Sequence, residues 1–440
     1  MRAMLAARAL LVAVVLTSCD EDPRSPPEPE PTPEPAPPSW HANVGPLVQQ
    51  KCSGCHVEGG IGHFALKTYA QAYAQRDAIK AAVQSRHMPP WPPSNDCARY
   101  LDDRSLSDEQ VALISRWVDE GAIEGNPADA PAVPPAPIGG ISRVDQTLKM
   151  PTQYTPQQRP DDYRCFLLDW PYTDTQYVTG FRANPGNMGI VHHVIAFLAE
   201  PHQVAEAQAL DDREPGPGYT CFGGPGLNGG QAAWLGSWAP GGPGQDYPAG
   251  TGLRVAAGSK VILQVHYNTH PSLHGQTGPD LTSVSFKVDA SVDKVAFVQP
   301  WTNPDWVNQK LMNIPAGQAD VVHSWAYEPT SIADQLTGGL FQKDKPLTVH
   351  SVALHMHTLG TSTRLDIQRG SGERECLLDI PRWDFHWQAS YLLEQSRVVN
   401  PGDSIRLECH WNNSAPGATE VNWGEGTGDE MCLGLFYMTQ

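Results

Sequence analysis

The spacing of hydrophobic residues divides this chain into a helical part and a strand-rich part. Residues 107–110 (SDEQ) have the pattern of a helix capping box, and a stripe with helical spacing follows at Val111, Ile114, Trp117 and Val118. Gly121 marks the end of that helix. From about Arg143 onward, short apolar runs alternate with Gly, Pro and Asn, and helical stripes are scarce. The pattern therefore predicts a small all-α domain followed by a long all-β region.

Composition and charge narrow the possible functions. The chain has 440 residues, of which 40% are hydrophobic, so it can form two or three domains with cores of their own. Its formal net charge is −18. An acidic surface repels phosphate backbones, so we expect no nucleic-acid partner.

The N-terminus carries the features of an export signal. Arg2 and Arg8 precede an apolar run over residues 9–16, which is short for a membrane span. The Leu-Thr-Ser-Cys that follows resembles a bacterial lipobox, in which the cysteine is lipidated. We therefore expect residues 1–19 to be a lipoprotein signal peptide with Cys19 lipidated; plain secretion, with Cys19 incidental, is the alternative. The lipid would hold an exported protein at the periplasmic or outer face of a bacterial envelope membrane.

Two proline-rich segments lack the apolar residues that a core requires. Residues 20–39 are rich in Pro and Glu, and residues 127–142 include PADAPAVPPAPIGG. Such segments behave as extended spacers. They predict one folded domain between them, at residues 40–126, and the all-β region after the second spacer.

Residues 52–56, Cys-Ser-Gly-Cys-His, have the C-x-x-C-H pattern of covalent haem attachment. In such a site both thiols, here Cys52 and Cys55, bond to the haem, and His56 supplies one axial ligand. A redox dithiol followed by a chance histidine is the alternative. Met88 begins a proline-rich loop that resembles the methionine loop of small class I cytochromes c, and we expect it to be the second ligand, with His87 as the fallback. Residues 40–126 are thus predicted to form a cytochrome c domain that carries covalent haem c.

Two places in the first half of the all-β region hold histidines that can share a metal. His192 and His193 are adjacent, so both can reach one ion only where the strand twists or bulges. His266 lies in a predicted strand whose other face carries Val261, Leu263, Val265 and Tyr267. Taken alone, each of these signals also fits ordinary structural histidines.

Two further places hold a second set of three side chains. In the predicted strand around HMHTLG, alternation puts Met356 on the apolar face and both His355 and His357 on the opposite face. Met431 precedes the last apolar strand. Three imidazoles suit copper in either oxidation state, whereas two imidazoles and a thioether favour Cu(I).

The order of these motifs resembles the copper type II, ascorbate-dependent monooxygenases, the family of peptidylglycine α-hydroxylating monooxygenase and dopamine β-monooxygenase. The resemblance begins near Leu148 and includes LKMPTQYTPQQRPDDYRCF, SWAPGGPGQDYPAGTGLRVAAGSKVILQVHYN and GDEMCLGLFYM. It implies two consecutive jelly-roll-like β-sandwiches, at residues 143–288 and 289–440, that face each other across a wet cleft. It also implies two separate mononuclear copper sites, not a coupled pair.

The resemblance assigns each site its ligands. The electron-transfer copper would be held by His192, His193 and His266. The catalytic, oxygen-binding copper would be held by His355, His357 and Met431.

The cysteines outside the lipobox and the haem motif number six, which in an oxidising compartment predicts three disulfides. The resemblance pairs Cys165 with Cys221 and Cys409 with Cys432. We expect the two that remain, Cys97 and Cys376, to pair and to join the haem domain to the second sandwich.

The resemblance also implies a function. We expect a copper-dependent monooxygenase that uses O2 to hydroxylate a C–H bond of an unknown small organic or peptide substrate. An external donor would reduce the haem, and electrons would pass from the haem to the first copper and then to the second. The peptide-acting relatives hold a substrate carboxylate with an Arg and a Tyr, where this chain has Ala353 and Leu435. A non-enzymatic copper and haem electron-transfer or copper-binding lipoprotein is one alternative, and an adhesion module with ordinary polar histidines is another.

Overall fold

The computed structural model describes residues 36–58, 62, 64–131, 140–228, 232–239, 242–269 and 278–440. The chain divides into two units, Met1–Pro37 and Pro38–Gln440, and the fold described below is that of the second unit. The predicted signal peptide with Cys19, most of the first spacer and residues 132–139 of the second lie outside the described residues. Within the described ranges, no helix is long and apolar enough to cross a membrane.

Helices dominate the chain before residue 131. After a π-helical turn over Trp40–Val44, the helices are α1 (Gly45–Lys51), α2 (Tyr69–Ala74), α3 (Arg76–Gln84) and α4 (Asp108–Asp119). The predicted capping box is confirmed, because Ser107 Oγ accepts from the Gln110 N–H and Gln110 Oε1 accepts from the Ser107 N–H. Gly121 has a φ of 97°, a left-handed conformation that favours glycine and ends α4.

These helices enclose a small core of their own. Trp40, Ile114 and Trp117 are buried in it, and the two indole rings lie 6.0 Å apart. Tyr69 Oη donates to Ala122 O at 3.0 Å, which ties α2 to the end of α4. The sequence therefore folds, as predicted, into a small helical unit around the C-x-x-C-H segment.

The rest of the described chain is mostly β-structure, as predicted. Its strands are β1 (Gln146–Lys149), β2 (Asp161–Asp169), β3 (Gln176–Asn184), β4 (Val191–Ala199), β5 (Tyr219–Thr220), β6 (Trp234–Trp238), β7 (Gln245–Asp246), β8 (Thr251–Val255), β9 (Lys260–Asn268), β10 (Ser283–Asp289), β11 (Lys294–Trp301), β12 (Val321–Tyr327), β13 (Leu347–His355), β14 (Gly360–Gln368), β15 (Arg374–Ile380), β16 (Ser390–Val399), β17 (Ser404–Trp411) and β18 (Leu433–Thr439). Short helices interrupt them at α5 (Val204–Asp211), α6 (Pro304–Gln309) and α7 (Ala333–Leu336).

The strands form three sheets that pack as two sandwiches. A nine-stranded sheet has the order β1-β10-β3-β8-β11-β18-β13-β16, with β7 paired to β3. The sheet β5-β2-β9-β4-β6 packs on its first half, and the sheet β12-β17-β14-β15 packs on its second half. The two sandwiches therefore share one sheet, which is continuous because β8 and β11 pair in parallel with Thr251 opposite Lys294. The resemblance alone implied two consecutive sandwiches without this connection.

Strand β9 separates core residues from site residues by simple alternation, as predicted. Its apolar side chains, Val261, Leu263, Val265 and Tyr267, belong to the core of the first sandwich. On the opposite face, Gln264 Nε2 donates to Cys221 O at 2.8 Å and Asn268 Nδ2 donates to Asp161 Oδ1 at 3.0 Å. His266 lies between them, so the polar face of the sheet is the one that carries the candidate ligand.

Residues 91–101, which follow the helical unit's α3, pack on the second sandwich. The rings of Trp91 and Tyr391 lie 5.4 Å apart, and Tyr100 Oη donates to Leu377 O at 2.9 Å. The predicted disulfide between Cys97 and Cys376 is present in the same contact. Hydrogen bonds, aromatic packing and a covalent link thus tie the helical unit to the second sandwich.

The other predicted disulfides are also present. Cys165 pairs with Cys221, and Cys409 pairs with Cys432. The second of these bonds connects β17 to the residue just before β18. Cys52 and Cys55 are free of disulfides, as haem attachment requires.

Candidate metal centre

The first histidine set forms because β4 bulges where it pairs with β9. Val191 is opposite Tyr267 and His193 is opposite His266, so His192 is the extra residue in the register. This confirms the predicted irregularity and lets adjacent residues turn toward one point. One nitrogen from each of His192, His193 and His266 lies within 4.8 Å of the other two. The structure therefore brings together the three predicted ligands of the first site.

Asp161 fixes the orientation of His266. The ring donates its Nε2–H to Asp161 Oδ1 at 2.8 Å, which leaves the Nδ1 lone pair to face His193 Nδ1 at 3.3 Å. Tyr163 stacks on the same ring with a centroid distance of 4.0 Å. A histidine held by a carboxylate through one nitrogen is the usual arrangement of a metal ligand, because the bond selects the tautomer.

The donor atoms of this set fit a metal ion. Burial lowers the pKa of His192 and of His193 far below the ordinary value, and burial also lowers that of His266. All three rings are therefore neutral near pH 7 and have lone pairs to offer. His192 Nδ1 is buried and has no hydrogen-bond partner among the described residues. A buried nitrogen without a partner is costly, and a coordinated metal would satisfy it.

The second set lies at the end of β13. His355 is the last residue of the strand, His357 follows two residues later, and their rings are 5.1 Å apart. His355 Nδ1 bonds to Gln388 Oε1, and His357 Nδ1 donates to Asp429 O at 3.0 Å. Both rings therefore keep Nε2 free for a metal. The predicted side-by-side placement is confirmed, although the strand ends one residue before Met356.

The pairing of β18 with β13 brings Met431 close to this set. Leu433, two residues on, pairs with His355 across β18 and β13. Glu430 is fully buried and accepts from the N–H groups of His357 at 2.9 Å and Leu359 at 2.6 Å. Met431 and both histidines line one cavity. The contacts of its neighbours Glu430 and Leu433 therefore place the backbone of Met431 beside both predicted histidines of the second site.

The two sets lie next to each other. The rings of His193 and His355 are 6.3 Å apart and nearly perpendicular. Asp161 connects the two sandwiches through hydrogen bonds. It accepts from His266 of the first sandwich, and from the N–H (2.9 Å) and hydroxyl (2.6 Å) of Thr427 in the second. The resemblance implied sets on opposite sides of a cleft, whereas here the two sets are adjacent.

That cavity has a volume of about 1640 Å³ and extends to the helical unit. Its walls include residues of both histidine sets, the aromatic rings of Tyr163 and Tyr391, and, from the helical unit, Cys55 and Trp91. A substrate and residues of both histidine sets can therefore share one open cavity with the C-x-x-C-H segment.

The C-x-x-C-H segment has the geometry of a ligand histidine beside two thiols. His56 Nδ1 donates to Phe64 O at 3.0 Å, which leaves Nε2 free for an axial bond. Burial, together with the neighbouring Cys55, raises the pKa of the Cys52 thiol to about 12. Met88 follows α3, and its N–H donates to Ala82 O at 3.1 Å. No contact among the described residues joins Met88 or His87 to His56, so the second ligand stays a prediction.

Several residues that orient the ligands were not predicted from the sequence. They are Asp161, Gln388, Thr427 and Glu430, and Phe385, whose ring stacks on His192 at 4.6 Å. Each is far in sequence from at least one residue that it contacts, and none belongs to a motif of metal ligands. The only local signal is the pair Asp429-Glu430 directly before Met431.

The fold and the site define a class: two joined β-sandwiches, each of which contributes one set of copper-type ligands to a common cavity. Residues 147–274 match the family model "Copper type II ascorbate-dependent monooxygenase, N-terminal domain", and residues 309–439 match that of the C-terminal domain. The chain therefore carries both domains of the copper type II ascorbate-dependent monooxygenase family, in consecutive order.

Curated relatives agree with this assignment. The chain is 30% identical to DBH-like monooxygenase protein 1 of Gallus gallus over 46% of this chain and 32% of that protein. It is 24% identical to putative DBH-like monooxygenase protein 2 of Homo sapiens over 64% of this chain and 54% of that protein. The chain thus spans about a third to a half of these relatives. A solved viral structure, the VP2 subviral particle of infectious bursal disease virus, matches over 68% of this chain and 79% of that chain at 10% identity, and its TM-score of 0.13 is too low to indicate a common fold.

We expect Asp161→Asn to weaken copper binding at the first set by about 10–100-fold, because the amide cannot orient His266 as the carboxylate does. Cu(I) affinity would be measured by competition with a chelator in a His355→Ala, His357→Ala background, where only the first set binds. Asp169→Asn is the matched control, since Asp169 lies on the same strand but is exposed and pairs with Lys260. Equal affinities in the two variants would contradict the role of Asp161.

We expect His355 and His357 to stay unprotonated in mild acid. Burial lowers their pKa values from 6.5 to about 4 and about 3. The unfolded chain therefore binds more protons below pH 6.5, and the free energy of unfolding should fall as the pH drops from there toward 4. Histidine NMR of the metal-free protein measures this directly. His386, whose pKa is raised by its bond to Asp384, is the internal control; titration of all three rings together would refute the prediction.

Proposed function

We propose that this protein is a copper-dependent monooxygenase that hydroxylates a C–H bond of a small organic or peptide substrate. The observation that carries the proposal is that two candidate ligand sets, one from each domain of one copper monooxygenase family, lie next to each other beside a single cavity. In the net reaction one atom of O2 enters the C–H bond and the other leaves as water, with two electrons and two protons consumed.

The proposed sites are two mononuclear coppers. His192, His193 and His266 would hold the first; His355, His357 and Met431 would hold the second. The coppers would supply one-electron storage at the first site and O2 activation at the second.

The chain's own residues prepare these sites for metal. Asp161, Gln388 and the Asp429 carbonyl select the tautomers that expose the ligand nitrogens. Burial keeps the imidazoles neutral, so protons do not compete with the metal near pH 7.

The substrate site is apolar where the peptide-acting relatives bind a carboxylate. Ala353 and Leu435 are directly opposite each other in the pairing of β13 with β18, and both line the cavity. Neither side chain can hydrogen-bond to a carboxylate. We therefore infer that the part of the substrate nearest to His355 is uncharged.

We further propose that a covalent haem c delivers electrons from an external donor. Cys52 and Cys55 would bond to the haem, with His56 and Met88 as its axial ligands. Cys55 lines the same cavity as both histidine sets, and the helical unit is tied to the second sandwich through Cys97 and Cys376. A donor held on the same chain has a high effective concentration at its acceptor.

The location of this enzyme is also a proposal. Lipidation at Cys19 would place it at a membrane of the bacterial cell envelope, and the proline-rich residues 20–39 would hold the catalytic part away from that surface. Export suits the three disulfides, which persist in oxidising compartments.

The test of the enzymatic function is product analysis with ¹⁸O-labelled O2 over a panel of uncharged and charged substrates. We expect one labelled oxygen atom in the product of the copper-loaded protein. His357→Ala and Met431→Ala should lower the rate by at least about 100-fold while the first set still binds copper. The control is His202→Ala, since His202 is exposed and does not line the cavity. Copper binding and haem reduction without labelled product would favour the alternative, an electron-transfer lipoprotein.

The haem proposal has its own test. Protein expressed with the machinery for haem attachment should retain haem through denaturing electrophoresis, and Cys52→Ala with Cys55→Ala should abolish that haem. Met88→Ala should remove the sulfur-to-iron absorbance band, whereas His87→Ala should keep it. An unchanged spectrum in Met88→Ala would reject Met88 as the ligand.

A further inference from the structure

The loop between β15 and β16, residues 381–389, lies against both histidine sets. We name it the bridging loop. Three of its side chains, Trp383, Phe385 and Gln388, each contact a different candidate ligand. The loop belongs to the second sandwich, yet one of the contacted ligands, His192, belongs to the first.

Two of these side chains support the second set. Trp383 Nε1 donates to the backbone carbonyl of His357 at 3.1 Å, and Gln388 Oε1 accepts from His355 Nδ1. Gln388 Nε2 donates in turn to Phe385 O at 2.8 Å. The position of Phe385 is therefore coupled to the side chain that selects the tautomer of His355.

Phe385 joins the two sets. Its ring stacks on His192 with a centroid distance of 4.6 Å and an angle of 21°, and meets His357 edge-on at 6.0 Å. Only 7% of the residue is exposed. Stacked and edge-on aromatic pairs at such distances are favourable contacts. A single buried ring therefore touches one ligand of each proposed copper.

We propose that Phe385 is the positioning residue that holds the two metal sets against each other. The ring contacts metal ligands rather than a substrate or a metal, so it acts through His192 and His357. Removing the ring would take away the packing between His192 and His357. The hydrogen bonds of Asp161, Tyr163 and Asn268 to residues 425–427 would remain, and the rings of His193 and His355 would move apart. This inference rests on the proposed function only in taking copper as the metal.

The bridging loop also contacts the helical unit. Arg382 Nη2 donates to Arg86 O at 3.3 Å, two residues before the proposed haem ligand Met88. Directly before the loop, Asp379 O accepts from the Ser94 N–H at 2.8 Å. One loop thus connects the methionine segment of the helical unit to both metal sets.

The test compares Phe385→Leu with Phe385→Tyr in the full chain. With Cu(II) in both sets, the wild type should show electron paramagnetic resonance lines broadened by the interaction of neighbouring ions. Phe385→Leu should bind two coppers per chain and lose most of that broadening, and Phe385→Tyr, which keeps the ring, should restore it. Phe341→Leu is the matched control, because Phe341 is equally buried in the core of the second sandwich but does not line the cavity.

A second measurement needs no copper. In metal-free protein with labelled histidines, a nuclear Overhauser contact between the rings of His193 and His355 should be present in the wild type and lost in Phe385→Leu. Retention of this contact, or unchanged broadening with two coppers bound, would overturn the role of Phe385. If neither set bound copper, the proposed function would be refuted. The NMR measurement on metal-free protein would then still test the role of Phe385.

Discussion

The Asp161 carboxylate is the interaction on which the geometry of this centre depends. It accepts hydrogen bonds from His266 in the first sandwich and from Thr427 in the second. Burial opposes its ionisation, but these bonds outweigh burial and hold its pKa at about 2. A buried charge is stable only when enough donors surround it, and here the donors come from both sandwiches. The group that orients one metal ligand therefore also joins the two halves of the site.

The nine-stranded sheet that both sandwiches share also positions the two histidine sets. Because β8 and β11 pair in parallel, β13 belongs to one continuous sheet, and β9 lies in the sheet that packs on the first half of it. The first histidine set lies where β4 pairs with β9, and His355 is the last residue of β13, so strand pairing positions the backbones of both sets. Two loop residues of the second sandwich, Phe385 and Thr427, contact residues of the first sandwich directly.

The helical unit is part of the same assembly. Its attachment through Cys97, Trp91 and Tyr100 places the C-x-x-C-H segment on the wall of the cavity that holds both histidine sets. On the proposed function, this arrangement replaces diffusion of a small reductant by transfer within one chain. Burial of the histidines themselves lowers their pKa values and keeps the imidazoles neutral for metal.

The sequence by itself determined what depends on local periodicity: the capped helix that ends at Gly121, the apolar face of β9 and the side-by-side pair His355 and His357. Resemblance to a family added the ligand sets and two disulfides, because motifs in a fixed order identify partners far apart in the chain. Only the tertiary structure decided that Asp161 contacts Thr427, that Phe385 reaches His192 and that β8 joins β11. Those contacts depend on sheet register and on loop paths, which have no repeating pattern in the sequence from which they could be predicted.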